Sequence, residues 1–90
     1  METRRYTVTG RVQGVGFRFS ARQTAWKLGI RGWVRNNPDG SVTIMAKADP
    51  GQLQVFESFL QRGPYGARVD TLAMEIADNA DVGEEFHVRH

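Results

Sequence analysis

Residues 30–47 read Ile-Arg-Gly-Trp-Val-Arg-Asn-Asn-Pro-Asp-Gly-Ser-Val-Thr-Ile-Met-Ala-Lys, and this stretch decides the architecture. Ile30, Trp33 and Val34 predict a strand over residues 30–36. Asn37-Pro38-Asp39-Gly40 then sets four turn formers side by side. Proline presets its φ, Asn and Asp hydrogen-bond their own backbone, and glycine accepts positive φ. From Ser41 to Lys47 the alternation resumes through Val42, Ile44 and Ala46, the period of a strand with one buried face. Strand, short turn and strand make an antiparallel β-hairpin.

On the N-terminal side, Tyr6, Val8, Gly10 and Val12 alternate with Thr7, Thr9 and Arg11, so residues 4–12 are a half-buried strand. Gln13-Gly14-Val15-Gly16 breaks the pattern and reads as a tight loop. Phe17, Ala21, Ala25 and Leu28 follow at helical spacing on one face. Ser20 with Gln23 offers a capping box that would start this helix near Ser20, while the apolar pattern allows any start from Phe17 to Ala21. Gly29 ends it. On the C-terminal side, Asp49-Pro50 has the form of an N-cap and a first helical residue. Leu53, Phe56, Phe59 and Leu60 give the apolar stripe of a second helix, which Gly63-Pro64 stops. Residues 68–77 form a fourth strand through Val69, Leu72, Met74 and Ile76. Asp78 to Gly83 is a polar loop, and Phe86 and Val88 belong to a short final strand. The order is β-α-β-β-α-β with that last strand added. We therefore expect an α+β, ferredoxin-like βαββαβ sandwich: an antiparallel sheet with two helices on one face, one domain over residues 1–90.

Composition narrows the chemistry. The 90 residues contain no cysteine and two histidines, His87 and His90. A disulfide scaffold, a thiolate metal site and a cysteine nucleophile are excluded, and a histidine-rich zinc site or a Ser-His-Asp triad is disfavoured. No run of 18 apolar residues exists, so no transmembrane helix is expected. The N-terminus does not read as a signal peptide, and the expected compartment is the cytoplasm. Charge is uneven: residues 1–35 carry eight arginines and lysines against one acid, Glu2, whereas residues 36–90 carry four against nine. Such asymmetry suits an anionic ligand held by the N-terminal segment, unless the charges interleave on folding.

The loop at 13–16 gives that ligand a place. Helix N-termini present unpaired N–H groups and a partial positive charge, glycines let backbone approach a ligand closely, and Arg18 adds a planar fork for two oxygens. Together they form an anion cradle suited to a phosphoryl group. The segment lacks the Gly-Lys-Ser/Thr ending of a Walker loop and the Gly-x-Gly-x-x-Gly spacing of a dinucleotide fold, so neither ATP nor NAD is expected.

Residues 10–18, Gly-Arg-Val-Gln-Gly-Val-Gly-Phe-Arg, resemble the signature of the acylphosphatase family. Residues 32–42, Gly-Trp-Val-Arg-Asn-Asn-Pro-Asp-Gly-Ser-Val, resemble its second signature, at matching separation. Gly63-Pro64 and Ala67-Arg68-Val69-Asp70 are similar to the family's later half, so the resemblance covers nearly the whole chain. It implies hydrolysis of an acyl phosphate to a carboxylate and inorganic phosphate, without metal or organic cofactor. The family's catalytic arginine falls on Arg18, which would bind the phosphoryl oxygens. Its catalytic asparagine falls on Asn36, which would orient the attacking water. Its phosphate loop falls on Gln13, Gly14, Val15, Gly16 and Phe17. The implied partner is a small-molecule acyl phosphate, bound by a monomer without nucleic acid or membrane. Two positions depart from the family pattern: Ala48 stands where a glycine is usual, and His90 where tyrosine or arginine is frequent.

The residue types suit that chemistry. Hydrolysis needs phosphate charge neutralised and water placed in line. A carboxylate leaving group is a weak base, so no strong general acid is required. An asparagine amide cannot serve as a base, so the role of Asn36 would be positional. Arg22, one turn beyond Arg18, is read as a solvated arginine, with a widened positive field over the loop as the alternative. Turn chemistry accounts for Asn37 and Ser41, and packing for Trp26 and Trp33. Glu84, Glu85 and His87 read as solvent-facing. The competing reading is an RNA-recognition domain of the same topology, but the third strand carries no stacking ring. A non-catalytic domain of the same family is a third, which intact Arg18 and Asn36 argue against.

Overall fold

A computed structural model describes residues 1–90, with β1 (Glu2–Arg11), α1 (Phe17–Leu28), β2 (Arg31–Asn36), β3 (Val42–Ala48), α2 (Pro50–Arg62), β4 (Arg68–Ile76) and β5 (Phe86–Arg89). One five-stranded sheet has the order β4-β1-β3-β2-β5. The hairpin forms in the expected place, with Arg31 opposite Lys47 and Asn36 opposite Val42. β1 lies between β3 and β4, antiparallel to both.

The sheet is mixed rather than wholly antiparallel, because β5 runs parallel to β2, with Gly32 beside Phe86 and Arg35 beside Arg89. Topology gives the reason. Ile76, at the end of β4, lies beside Arg4, at the sheet end where β2 begins. A chain crossing there and entering the free edge of β2 must run in the direction of β2. The crossing segment is not purely a polar loop. Val82 is buried, and with Ala77 and Ala80 it packs on Trp33 and Met45 as a separate small cluster.

The main core lies between the sheet and the helices. Tyr6, Val8, Val34, Val42, Ile44 and Ala46 from the strands meet Phe17, Ala21, Ala25, Leu53, Phe56 and Leu60 from the helices. Phe56 stands edge-on to Phe86 at 5.9 Å between centroids and to Tyr6 at 6.4 Å. T-shaped pairs of this kind add about 0.5–1.5 kcal/mol beyond area burial.

Helix α1 starts at Phe17, not at Ser20, and no side chain caps it. Phe17 is buried and belongs to the inner face. Gly16 makes the entry, with φ 78° and ψ 18°. In that left-handed conformation glycine carries no steric penalty, whereas other residues lose roughly 1–2 kcal/mol. Ser20 sits inside the first turn, its N–H donating to the Gly16 carbonyl at 3.0 Å. Helix α2 starts as read, with Asp49 at the N-cap and Pro50 first. The Asp49 N–H donates to Gln52 Oε1 at 3.1 Å, and Gln52 Nε2 donates to the Leu28 carbonyl at 2.6 Å, tying the helices together. Ala48 is fully buried at the end of β3, paired with Glu2. No residue other than glycine has positive φ, so Ala48 holds an ordinary strand backbone.

Candidate active site

Strands β1, β2 and β5 run the same way, so their C-terminal ends meet at one end of the sheet, where α1 begins. There a cavity of about 290 Å³ is lined by the loop glycines Gly14 and Gly16, by Phe17, Arg18, Phe19 and Arg22 of α1, by Asn36, and by Val12, Val88 and His90. The structure thus brings Gly14, Gly16, Phe17, Arg18 and Asn36 together. Gln13 and Val15 do not line the cavity. Val15 packs against the core, and Gln13 holds the loop from behind.

The backbone N–H groups of Gly14, Val15 and Gly16 have no backbone acceptor in the protein. Those of Phe17, Arg18 and Phe19 form the open first turn of α1. Consecutive unpaired donors at a helix N-terminus carry partial positive charge and favour an anion. Gly14 shares the left-handed conformation of Gly16, at φ 74°, and a Cβ on either would meet nothing within 4 Å. The glycines are therefore required by backbone conformation and by approach from outside, not by neighbouring protein atoms.

Two arms fix the loop against the hairpin. Gln13 Nε2 donates to the Asn37 carbonyl at 2.8 Å and to the Ser41 carbonyl at 2.9 Å. Asn37 Nδ2 donates to Ser41 Oγ at 2.9 Å and Thr43 Oγ1 at 2.7 Å. The turn is closed by Asp39, which accepts from the Ser41 hydroxyl at 2.6 Å and the Ser41 N–H at 2.9 Å. These bonds hold the Asp39 carboxyl below its usual range, the hydroxyl contributing most. Asn37 and Ser41 thus serve the turn, as expected.

Asn36, the last residue of β2, lines the cavity. Its Oδ1 is buried and accepts no hydrogen bond from the protein. A buried amide oxygen without a donor is uncommon and costs about 1–3 kcal/mol until something donates to it. A ligand or a positioned water would fill that role.

The sequence reading missed Phe19, Val88 and His90 at the site. Arg18 Nη1 lies 3.3 Å from His90 Nδ1. An arginine only donates, so this bond requires an unprotonated Nδ1. The C-terminal position that departs from the family pattern therefore touches Arg18. Parallel docking of β5 beside β2 brings it there, aided by the Trp26 indole N–H donating to the Phe86 carbonyl at 2.9 Å. No local spacing in the sequence signals that pairing. Arg22 also faces the cavity, so the wider positive field is the better reading of it. No acidic residue lines the cavity, and neither Arg18 nor Arg22 joins any of the ion pairs of the fold. No group of three or more His, Asp or Glu side chains is placed to hold a metal ion, and no helix is long and apolar enough to cross a membrane.

Comparison with known proteins gives a consistent result. The family model described as acylphosphatase matches residues 4–88. An acylphosphatase of Koribacter versatilis (strain Ellin345) is 49% identical over 76 residues, 84% of this chain and 69% of its own length. Another, of Actinobacillus pleuropneumoniae serotype 5b (strain L20), is 39% identical over 89 residues, 99% of each chain. The crystal structure of acylphosphatase from Bacillus subtilis is similar over 100% of both chains, with TM-score 0.95 and 32% identity.

Proposed function

Because the chain belongs to the acylphosphatase family, a family of hydrolases acting on acyl phosphates, we propose that its loop and Arg18 hold the phosphoryl group while Asn36 places the attacking water. Water adds to phosphorus as the bond between phosphorus and the carboxyl oxygen breaks. The products are a carboxylate and inorganic phosphate.

The observation that carries this reading is the convergence of three unlike groups on one cavity: unpaired loop N–H groups, the Arg18 guanidinium and the unpartnered Asn36 Oδ1. The N–H groups and the guanidinium neutralise negative oxygens. The amide oxygen accepts from a water proton and so aims a lone pair at phosphorus. His90 steadies Arg18 from outside through Nδ1. Phosphoryl transfer draws most of its acceleration from such positioning and charge stabilisation. Each tenfold in rate corresponds to about 1.4 kcal/mol of transition-state stabilisation, so one guanidinium fork with several N–H donors supplies several factors of ten. All the groups in this scheme come from one chain, so it calls on no residue of a second copy.

Hydrolysis of benzoyl phosphate in EDTA, with Arg18→Ala alongside, tests the assignment. Turnover that survives the chelator and collapses in the variant is expected. Equal turnover in both proteins would remove Arg18 from the mechanism, and loss of activity in EDTA would overturn the metal-free scheme.

A further inference from the structure

We infer that Arg22 is a second anion-reading group in the same cavity, engaging a negative charge on the acyl part of the substrate, so that preferred acyl phosphates carry a second anionic group a few bonds from the anhydride. The inference rests on the assignment of Arg18 and the loop to the phosphoryl end.

Three features set Arg22 apart from an ordinary surface arginine. It lies one helical turn beyond Arg18, where side chains share a face with Cβ atoms roughly 5–6 Å apart, and both line the cavity. Its guanidinium is held over two aromatic rings of α1, 5.2 Å from the centroid of Phe19 and 4.9 Å from that of Trp26. Contact with two rings holds the guanidinium in place, and its terminal N–H groups make no hydrogen bond or ion pair within the protein and can meet a carboxylate or phosphate. Finally, its Nε is buried yet has no acceptor, and no carboxylate of the protein pairs with it. A pre-ordered, partly desolvated and unpaired cation beside a ligand cavity lacks only the anion.

The phosphoryl group already has matched partners at the other end of this stretch, in the fork of Arg18 and the N–H groups that begin at Gly14. Arg22 is one turn farther from that loop. Phe19 also lines the cavity and offers an apolar surface over which methylenes can lie. The substrate class that fits is the monoacyl phosphate of a short dicarboxylic acid, its free carboxylate reaching Arg22.

The test compares succinyl phosphate with 4-methylpentanoyl phosphate, in which an isopropyl group replaces the carboxylate at similar size. In the native protein at low ionic strength, kcat/KM should favour the succinyl compound about tenfold, the discrimination one charge-assisted contact gives at a partly exposed site. In Arg22→Met, which keeps length and apolar contact with the rings, that ratio should collapse toward one, and Arg22→Lys should restore part of it. An unchanged ratio in Arg22→Met overturns the inference. So does an equal loss on both substrates with weakened inhibition by inorganic phosphate, which would make Arg22 a phosphoryl ligand. Failure of the underlying assignment looks different: Arg18→Ala would then hydrolyse both substrates as well as the native protein, and this inference would fall with it.

Discussion

Replacing Gln13 with alanine removes the amide that joins the loop to the hairpin, and the structure sets the size of the effect. Two bonds are lost, at 2.8 and 2.9 Å. A neutral hydrogen bond contributes about 0.5–1.5 kcal/mol net, so the pair is worth about 1–3 kcal/mol. Neither carbonyl is orphaned, because the Asn37 carbonyl still accepts from the Gly40 N–H at 3.1 Å and the Ser41 carbonyl from the Asn37 N–H at 2.8 Å. The cost therefore falls in the lower part of that range, about 1–2 kcal/mol. For a chain of this size each kcal/mol moves Tm by about 4–8 °C, so thermal unfolding followed by circular dichroism should show a drop of about 4–16 °C. Gln13→Glu sharpens the test. At neutral pH it sets a carboxylate against two carbonyl oxygens, so it must be less stable than Gln13→Ala. Its deficit must shrink as acid protonates the new side chain and supplies one donor. KM for acyl phosphate should rise in both variants as the loop loses its anchor. A glutamate variant as stable as the alanine one at pH 7 would refute the donor role and the anchoring argument built on it.

Arg18→Lys keeps the charge but loses the planar fork. It should lower kcat/KM by roughly 10²–10³ with an unchanged circular dichroism spectrum, and near-native turnover would discard the fork. Asn36→Ala should cut kcat sharply while inorganic phosphate still inhibits at its native concentration; weakened inhibition would make Asn36 a phosphate ligand instead. Gly32→Ala should destabilise by more than about 3 kcal/mol in urea titration, because a Cβ there would lie 1.7 Å from the Met45 carbonyl oxygen at φ +145°, a clash of backbone that β2 and β3 relieve only by parting. Burial, reinforced by the Glu57 carboxylate and opposed by Arg4, pushes the Tyr6 hydroxyl up to about 12 from its ordinary 10. The unfolded chain then loses this proton first, so stability should fall between about pH 10 and pH 12; the Tyr6→Phe variant should lack that share of the alkaline loss, and an identical alkaline profile would contradict the shift.

Legibility in the sequence follows the range of the forces involved. The hairpin was readable because Asn37-Pro38-Asp39-Gly40 encodes its own backbone angles. Helix α2 was readable because Asp49 and Pro50 set its start within two adjacent residues. The start of helix α1 was legible only to within Phe17–Ala21: Ser20 has capping chemistry, but burial of Phe17 and the left-handed Gly16 decide it. Arg18 and Asn36 were identified through two family signatures, and the cavity that joins them rests on the shared direction of β1 and β2. Val88 and His90 were missed because they enter through the edge pairing of β5, a long-range contact that leaves no periodic trace. Phe19 instead reaches the cavity from the first turn of α1. Val82 was assigned to a polar loop because its burial depends on the crossing of the sheet that reaches the same edge.

The four residues of β5 tie activity to the completeness of the fold. This strand is held by one neighbour, by Phe86 in the core and by the Trp26 indole. Edge segments with few anchors open at lower free energy than the body of a domain. A molecule in which β5 alone has swung away keeps both helices and four paired strands, and ordinary spectroscopy scores it as native. It has nevertheless lost Val88 and His90 from the cavity wall and the brace on Arg18. In refolding, recovery of turnover should therefore lag recovery of secondary structure, and the enzyme's own reaction becomes a clock for the arrival of its last strand.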